Sequence, residues 1–147
     1  MPIKNALVVD DSMSARVMLR RMLEQKKVSV DLAETAEEAL TYLQSKKPDV
    51  VFMDHILPGM NGFDATKEIT TNPKTAMIPV IMYTSKEGNE YLEQARAHGA
   101  LGILRKPAKP AALAAITLVS TRQNRFMHTS WCGFPFVSKW KRKTQAG

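Results

Sequence analysis

Hydrophobic residues fall in two alternating patterns over the first 120 positions. One is a set of short, near-continuous apolar runs. Ala6-Leu7-Val8-Val9 ends at Asp10-Asp11, and Asp49-Val50-Val51-Phe52-Met53 ends at Asp54. Pro79-Val80-Ile81-Met82-Tyr83 ends at Thr84, and Leu101-Gly102-Ile103-Leu104 ends near Lys106. A weaker run from Val28 to Ala33 lies between the first two. Runs of this kind are what strands buried on both faces look like, as in a parallel sheet.

The second pattern is helical. Ala15, Met18, Leu19, Met22 and Leu23 make one stripe at i, i+3, i+4, i+7 and i+8. Thr35 and Glu38 have capping-box spacing, and Ala36, Ala39, Leu40 and Leu43 continue that helix inward. A third helix is expected from Gly62 to about Thr71, closed by Asn72-Pro73. A fourth is expected from Glu87 to His98, with Gly99 free to adopt a left-handed C-cap. A fifth runs from Pro110, a proline in the first turn, to about Thr121. The Met18, Met22 and Met53 side chains are read as core filling.

Five βα units in a row imply an α/β fold, a doubly wound five-stranded parallel sheet flanked by five helices. A ligand site in such a sheet lies at the carboxyl ends of the strands, near the point where strand order reverses. The polar residues fall there. Asp10, Asp11, Asp54, Thr84 and Lys106 each sit at or just past a strand end. Three crowded carboxylates repel unless a cation joins them, and Mg2+ prefers oxygen ligands, carboxylates and phosphate oxygens among them. A carboxylate is also a nucleophile toward phosphorus. The charge on a transferring phosphoryl group is then stabilised by a metal, an ammonium and a hydroxyl.

Composition narrows the partners. The 147 residues include 44% hydrophobic and 24% charged, ordinary values for a globular protein with a sizeable core. No apolar run approaches the roughly 20 residues of a membrane-spanning helix, and the N-terminus lacks signal-peptide layout. The single cysteine, Cys132, forms no internal disulfide, so a cytoplasmic location is expected. The net charge of +7 belongs mostly to the C-terminus. All 14 acidic residues lie between Asp10 and Glu93, whereas residues 121–147 carry six basic residues and no acid. That spread argues against nucleic acid as a partner of residues 1–121. The expected division is a domain over 1–121 and a basic, aromatic-rich tail over 122–147. Trp140-Lys141-Arg142-Lys143 leaves only a weak case for nucleic-acid or anionic-membrane binding by the tail.

The set Asp10-Asp11, Asp54, Thr84 and Lys106-Pro107 resembles the receiver domain of two-component response regulators. Leu57-Pro58-Gly59-Met60-Asn61-Gly62 and Gly99-Ala100-Leu101-Gly102 match it too. The resemblance covers about residues 4–120. It implies a flavodoxin-like sheet of order 2-1-3-4-5, and Asp54 as phosphoacceptor. It implies Mg2+ held by Asp10, Asp11, Asp54 and the Ile56 carbonyl, with Asp10 acting mainly through water. It implies Thr84 and Lys106 on the phosphoryl oxygens, and a cis Lys106–Pro107 bond. The phosphodonor would be a sensor histidine kinase or a histidine phosphotransfer protein. Phosphorylation would then switch binding to an effector that the sequence does not name. Such a domain is not an enzyme in the ordinary sense, though it assists its own phosphorylation and dephosphorylation. The alternative is a receiver fragment of a larger DNA-binding or enzymatic response regulator.

Two departures from the family pattern stand out. Ile103 replaces the aromatic residue often found three positions before the lysine, which with Thr84 forms the switch region. Tyr83 replaces a more usual aliphatic residue, and alternation points it away from the site if Thr84 points toward it. Ile56 and Lys86 are placed to set the lifetime of the phosphorylated state. A hydrolase with an aspartyl-phosphate intermediate would need an acid/base carboxylate at position 56, where this chain has Ile56. His55 is read as a partly exposed loop residue, and His98 as no more than a complement to its helix dipole.

Overall fold

The computed structural model describes residues 3–85, 88–106 and 108–113. Its elements are β1 (Asn5–Val9), α1 (Met13–Glu24), β2 (Ser29–Ala33), α2 (Ala36–Leu43), β3 (Val50–Met53), α3 (Gly62–Thr71), β4 (Val80–Thr84), α4 (Asn89–Ala97) and β5 (Gly102–Arg105). A further helical turn starts at Pro110. The rest of the expected fifth helix, and the tail over 122–147, lie outside the described residues.

The five strands form one sheet in the order β2-β1-β3-β4-β5 with every pairing parallel. The expected α/β architecture and strand order are those observed. Burial follows strand position. β3 and β4 are buried at every residue, which is why their sequences read as unbroken apolar runs. β2, at an edge, alternates between exposed and partly buried positions before ending at buried Ala33, which is why its run is weaker.

The two faces of the sheet bury separate cores. Leu7, Val9, Val51, Met53 and Met82 point toward α2, α3 and α4. Ala6, Val8, Phe52, Ile81, Tyr83 and Leu104 point toward α1 and the turn at residue 113. Among the described residues, no helix is long and apolar enough to cross a membrane.

Local chemistry sets the helix ends. Ser12, Thr35 and Asn61 each cap a helix by accepting from the backbone N–H three residues on. Glu38 reaches back as a capping-box residue should, but it accepts from Glu34 N at 3.2 Å, one residue before the cap. α4 begins at Asn89, where Gly88 at φ +114° turns the chain into the helix. Gly99, at φ +94°, ends that helix as expected.

One expected stripe is rotated. The buried residues of α1 are Arg16, Leu19 and Leu23, whereas Met18 is 51% exposed. Met18 is therefore not core filling. The inward position one turn before Leu19 and Leu23 goes to a buried arginine, an assignment hydrophobicity alone does not make.

Candidate functional site

Strand register brings the polar residues to one rim. Val9 of β1 pairs with Met53 of β3, so Asp10 and Asp54 leave the sheet side by side. The Asp54 N–H donates to the Val9 carbonyl at 2.9 Å, and the Asp10 N–H donates to the Ala33 carbonyl at 3.1 Å. β1 has β2 on one side and β3 on the other, so this is where the strand order reverses. At the far edge Thr84 pairs with Arg105, and the Lys106 N–H donates to the Thr84 carbonyl at 2.8 Å.

The charged side chains converge. One carboxylate oxygen from each of Asp10, Asp11 and Asp54 lies within 4.8 Å of the others. Asp10 is fully buried, Asp54 is 8% exposed, and Asp11 opens to solvent. The Lys106 ammonium donates to Asp10 Oδ2 at 2.6 Å and sits 3.5 Å from Asp54 Oδ1. Asp10 Oδ1 accepts from the Ser12 N–H at 2.9 Å, which ties the carboxylate to the start of α1.

The electrostatics mark Asp54 as the strained member. Burial, and then the Asp10 charge, push its carboxyl up from 3.8 to about 6, with Lys106 pulling the other way. Burial alone would lower the Lys106 ammonium. Its hydrogen bond to Asp10 and the Asp54 and Asp10 charges outweigh that and hold it above the ordinary lysine value. A buried carboxylate whose charge is held at a cost, beside two others, is a donor set that a divalent cation would satisfy. Hard oxygen ligands and an opening to solvent at Asp11 fit Mg2+.

Packing holds the acceptor loop close. A Cβ on Gly62 would lie 1.9 Å from the Asp54 carbonyl oxygen, so glycine is required where α3 begins against that loop. The Gly62 N–H also donates to the His55 carbonyl at 2.8 Å. The remaining site candidates are placed less centrally. Thr84 is buried at the end of β4. The Ile56 side chain is 64% exposed at the rim. Ile103 is partly buried against the core on the α2–α4 side. Pro107, Lys86 and Glu87 lie outside the described residues, as do the cis bond expected at Pro107 and the lifetime role expected of Lys86.

Several side chains packed around the site were not read as functional from the sequence. Arg16, buried on α1, donates from Nη1 to the Asp10 carbonyl at 2.6 Å, and its Nη2 meets Glu34 at 3.4 Å. Its signal was a cation at an inward helical position. His55 packs against Phe63 in a tilted arrangement, 4.3 Å between centroids and 38° between planes, and lies 5.3 Å from the Tyr91 ring. His98 stacks on Phe63 at 4.9 Å and 9°, so it does more than complement its helix dipole. Burial raises the Tyr91 hydroxyl to about 12, with Thr84 the nearby group that pulls it back. Tyr83 faces the α1 side, opposite Met82, as alternation requires. It nonetheless touches the site, because the Lys106 ammonium lies 5.0 Å above its ring centroid.

Comparison with known proteins places this arrangement in a family. Residues 6–117 match the response regulator receiver domain. The chain is 39% identical over 101 residues to the protein PilH of Pseudomonas aeruginosa, covering 69% of this chain and 84% of that one. It is 39% identical over 119 residues to the chemotaxis protein CheY of Halobacterium salinarum, covering 80% and 98%. The crystallised chemotaxis response regulator CheY4 of Vibrio cholerae superposes with a TM-score of 0.71 at 32% identity, over 76% of this chain and 93% of that one. Sheet order, rim and sequence agree: the chain belongs to the receiver-domain family of two-component response regulators.

Proposed function

We propose that this receiver domain accepts a phosphoryl group on Asp54 in a Mg2+-dependent transfer from a sensor histidine kinase or histidine phosphotransfer protein. The observation that carries the reading is the meeting of Asp10, Asp11 and Asp54 within 4.8 Å, with the Lys106 ammonium against two of them. Asp10 and Asp11, with Asp54 and the Ile56 carbonyl, are the groups that would hold the metal. Held there, Mg2+ would neutralise carboxylate charge and offset the charge of the incoming phosphoryl oxygens.

The residues of the chain do the rest. An oxygen of ionised Asp54 attacks phosphorus, the bond to the donor's leaving atom breaks, and a mixed anhydride forms on the side chain. Lys106 donates N–H bonds to the phosphoryl oxygens, and the Thr84 hydroxyl donates another. Pre-placement of these donors lowers the barrier because they need no reorganisation during transfer. The new charge then biases the rim and the surface beside β5 toward one protein partner. Thr84 and Ile103 belong to that switching surface. Residues 1–121 act as the receiver, and residues 122–147 are an appendage to it.

Incubation with Mg2+ and acetyl phosphate, followed by intact mass measurement, tests the reading. Wild type should gain one phosphoryl group in an acid-stable, base-labile bond, and Asp54→Asn should gain none. An equal adduct on both proteins would refute Asp54 as the acceptor.

A further inference from the structure

The Lys106 ammonium has neighbours of two kinds. Asp10 Oδ2 lies at 2.6 Å and Asp54 Oδ1 at 3.5 Å, both oxygens that a metal or a phosphoryl group would compete for. The Tyr83 ring is the third neighbour, 5.0 Å from Nζ to centroid, and neither a cation nor a phosphate competes for its face. Tyr83 is itself fixed. It is 1% exposed and packs in the cluster with Val8, Phe52 and Leu104. Its backbone pairs with Leu104, two residues before Lys106, so ring and lysine are set by the same register.

We infer that Tyr83 is a positioning residue for phosphoryl transfer, holding the Lys106 ammonium at the rim by a cation–π contact. The inference rests on the proposed phosphoacceptor function. Its physical basis is the negative face of the ring, which attracts a partly desolvated ammonium without using any of its three N–H donors. When Asp10 and Asp54 turn oxygens toward a cation, the carboxylate contacts of Lys106 weaken. The ring contact remains and keeps Nζ where a phosphoryl oxygen arrives. An aliphatic residue at position 83 would occupy the same place in the core, less fully and without that attraction.

The test separates the ring's charge distribution from its shape. Phenylalanines bearing zero to three fluorines are placed at position 83, and the rate of Asp54 phosphorylation by acetyl phosphate is measured at saturating Mg2+. Fluorine drains the ring face while nearly preserving its size. The rate should fall stepwise along the series, roughly threefold to tenfold in total. Tyr83→Phe should react several-fold faster than Tyr83→Leu. The Lys106 ε-methylene proton resonances of the unphosphorylated protein should be shifted upfield by the ring in wild type and Tyr83→Phe, and not in Tyr83→Leu. A flat rate across the fluorinated series, or unshifted Lys106 protons in wild type, would overturn the role of Tyr83. Absence of an adduct on wild type itself would instead remove the phosphoacceptor function, while the proton shifts would still report whether the contact exists.

Discussion

Asp49 and Asp54 bracket the same strand and live opposite lives. Asp49, at the amino end of β3, spends one oxygen on two backbone donors, the N–H of Lys4 at 2.8 Å and of Asn5 at 3.1 Å. Those bonds join β3 to the start of β1, so the carboxylate supports the fold. Asp54, at the carboxyl end, meets another carboxylate and a shared lysine, and its pKa rises to about 6. Its negative charge opposes the fold at neutral pH. One end of the sheet is built for stability, and the other holds charge in a poised state that a cation or a phosphoryl group would relieve.

The contrast breaks most severely at Gly62. Gly62→Ala puts a methyl group into the Asp54 carbonyl. It should cost about 3 kcal/mol or more, because backbone must move. Urea unfolding should show that loss, and Mg2+ should rescue little of it, since the acceptor loop itself is displaced.

Asp54→Asn should act in the opposite direction. A pKa raised from 3.8 to about 6 means the folded state holds the proton more tightly than the unfolded chain. Stability from this group is therefore present below about pH 4 and lost as pH rises through 6. Solvent at the rim screens part of the effect, so at pH 7 the variant should gain about 1 kcal/mol, a few degrees in Tm. The gain should shrink toward zero near pH 4 in metal-free buffer. A variant less stable than wild type at pH 7 would contradict the assignment of strain to Asp54.

Asp49→Ala is the smaller, mirror-image change. Loss of two backbone partners should destabilise the fold by about 1 kcal/mol at pH 7. The rate of phosphorylation by acetyl phosphate should stay within about twofold of wild type, since about 1 kcal/mol of global stability leaves the folded population nearly complete.

Much of this site was legible in the sequence because chemistry and topology coincide. Asp10, Asp54 and Lys106 stand where apolar runs stop, and a parallel βα order sends every such stop to the same rim. The strand order came from likeness to a family, since the residues do not themselves encode which strand neighbours which. Contacts that depend on rotation and side-chain reach were hidden. The hydrophobic stripe of α1 included Met18, whereas the fold turns Arg16 inward to the Asp10 carbonyl. Alternation placed Tyr83 on the far face correctly, but it does not report that Lys106 folds back over that face. His55 and His98 looked like isolated loop and cap residues until tertiary packing set both against Phe63.

On the proposed reading, Asp10, Asp11 and Asp54 at the carboxyl end form a cation site and Asp49 at the amino end does not. Calorimetric titration of Mg2+ into wild type, Asp11→Asn and Asp49→Asn tests it most directly. One binding event should appear in wild type and in Asp49→Asn with equal affinity, and affinity should fall at least tenfold in Asp11→Asn, about the cost of one hard oxygen ligand in a small donor set. Equal binding by all three proteins, or loss of binding only in Asp49→Asn, would contradict the account.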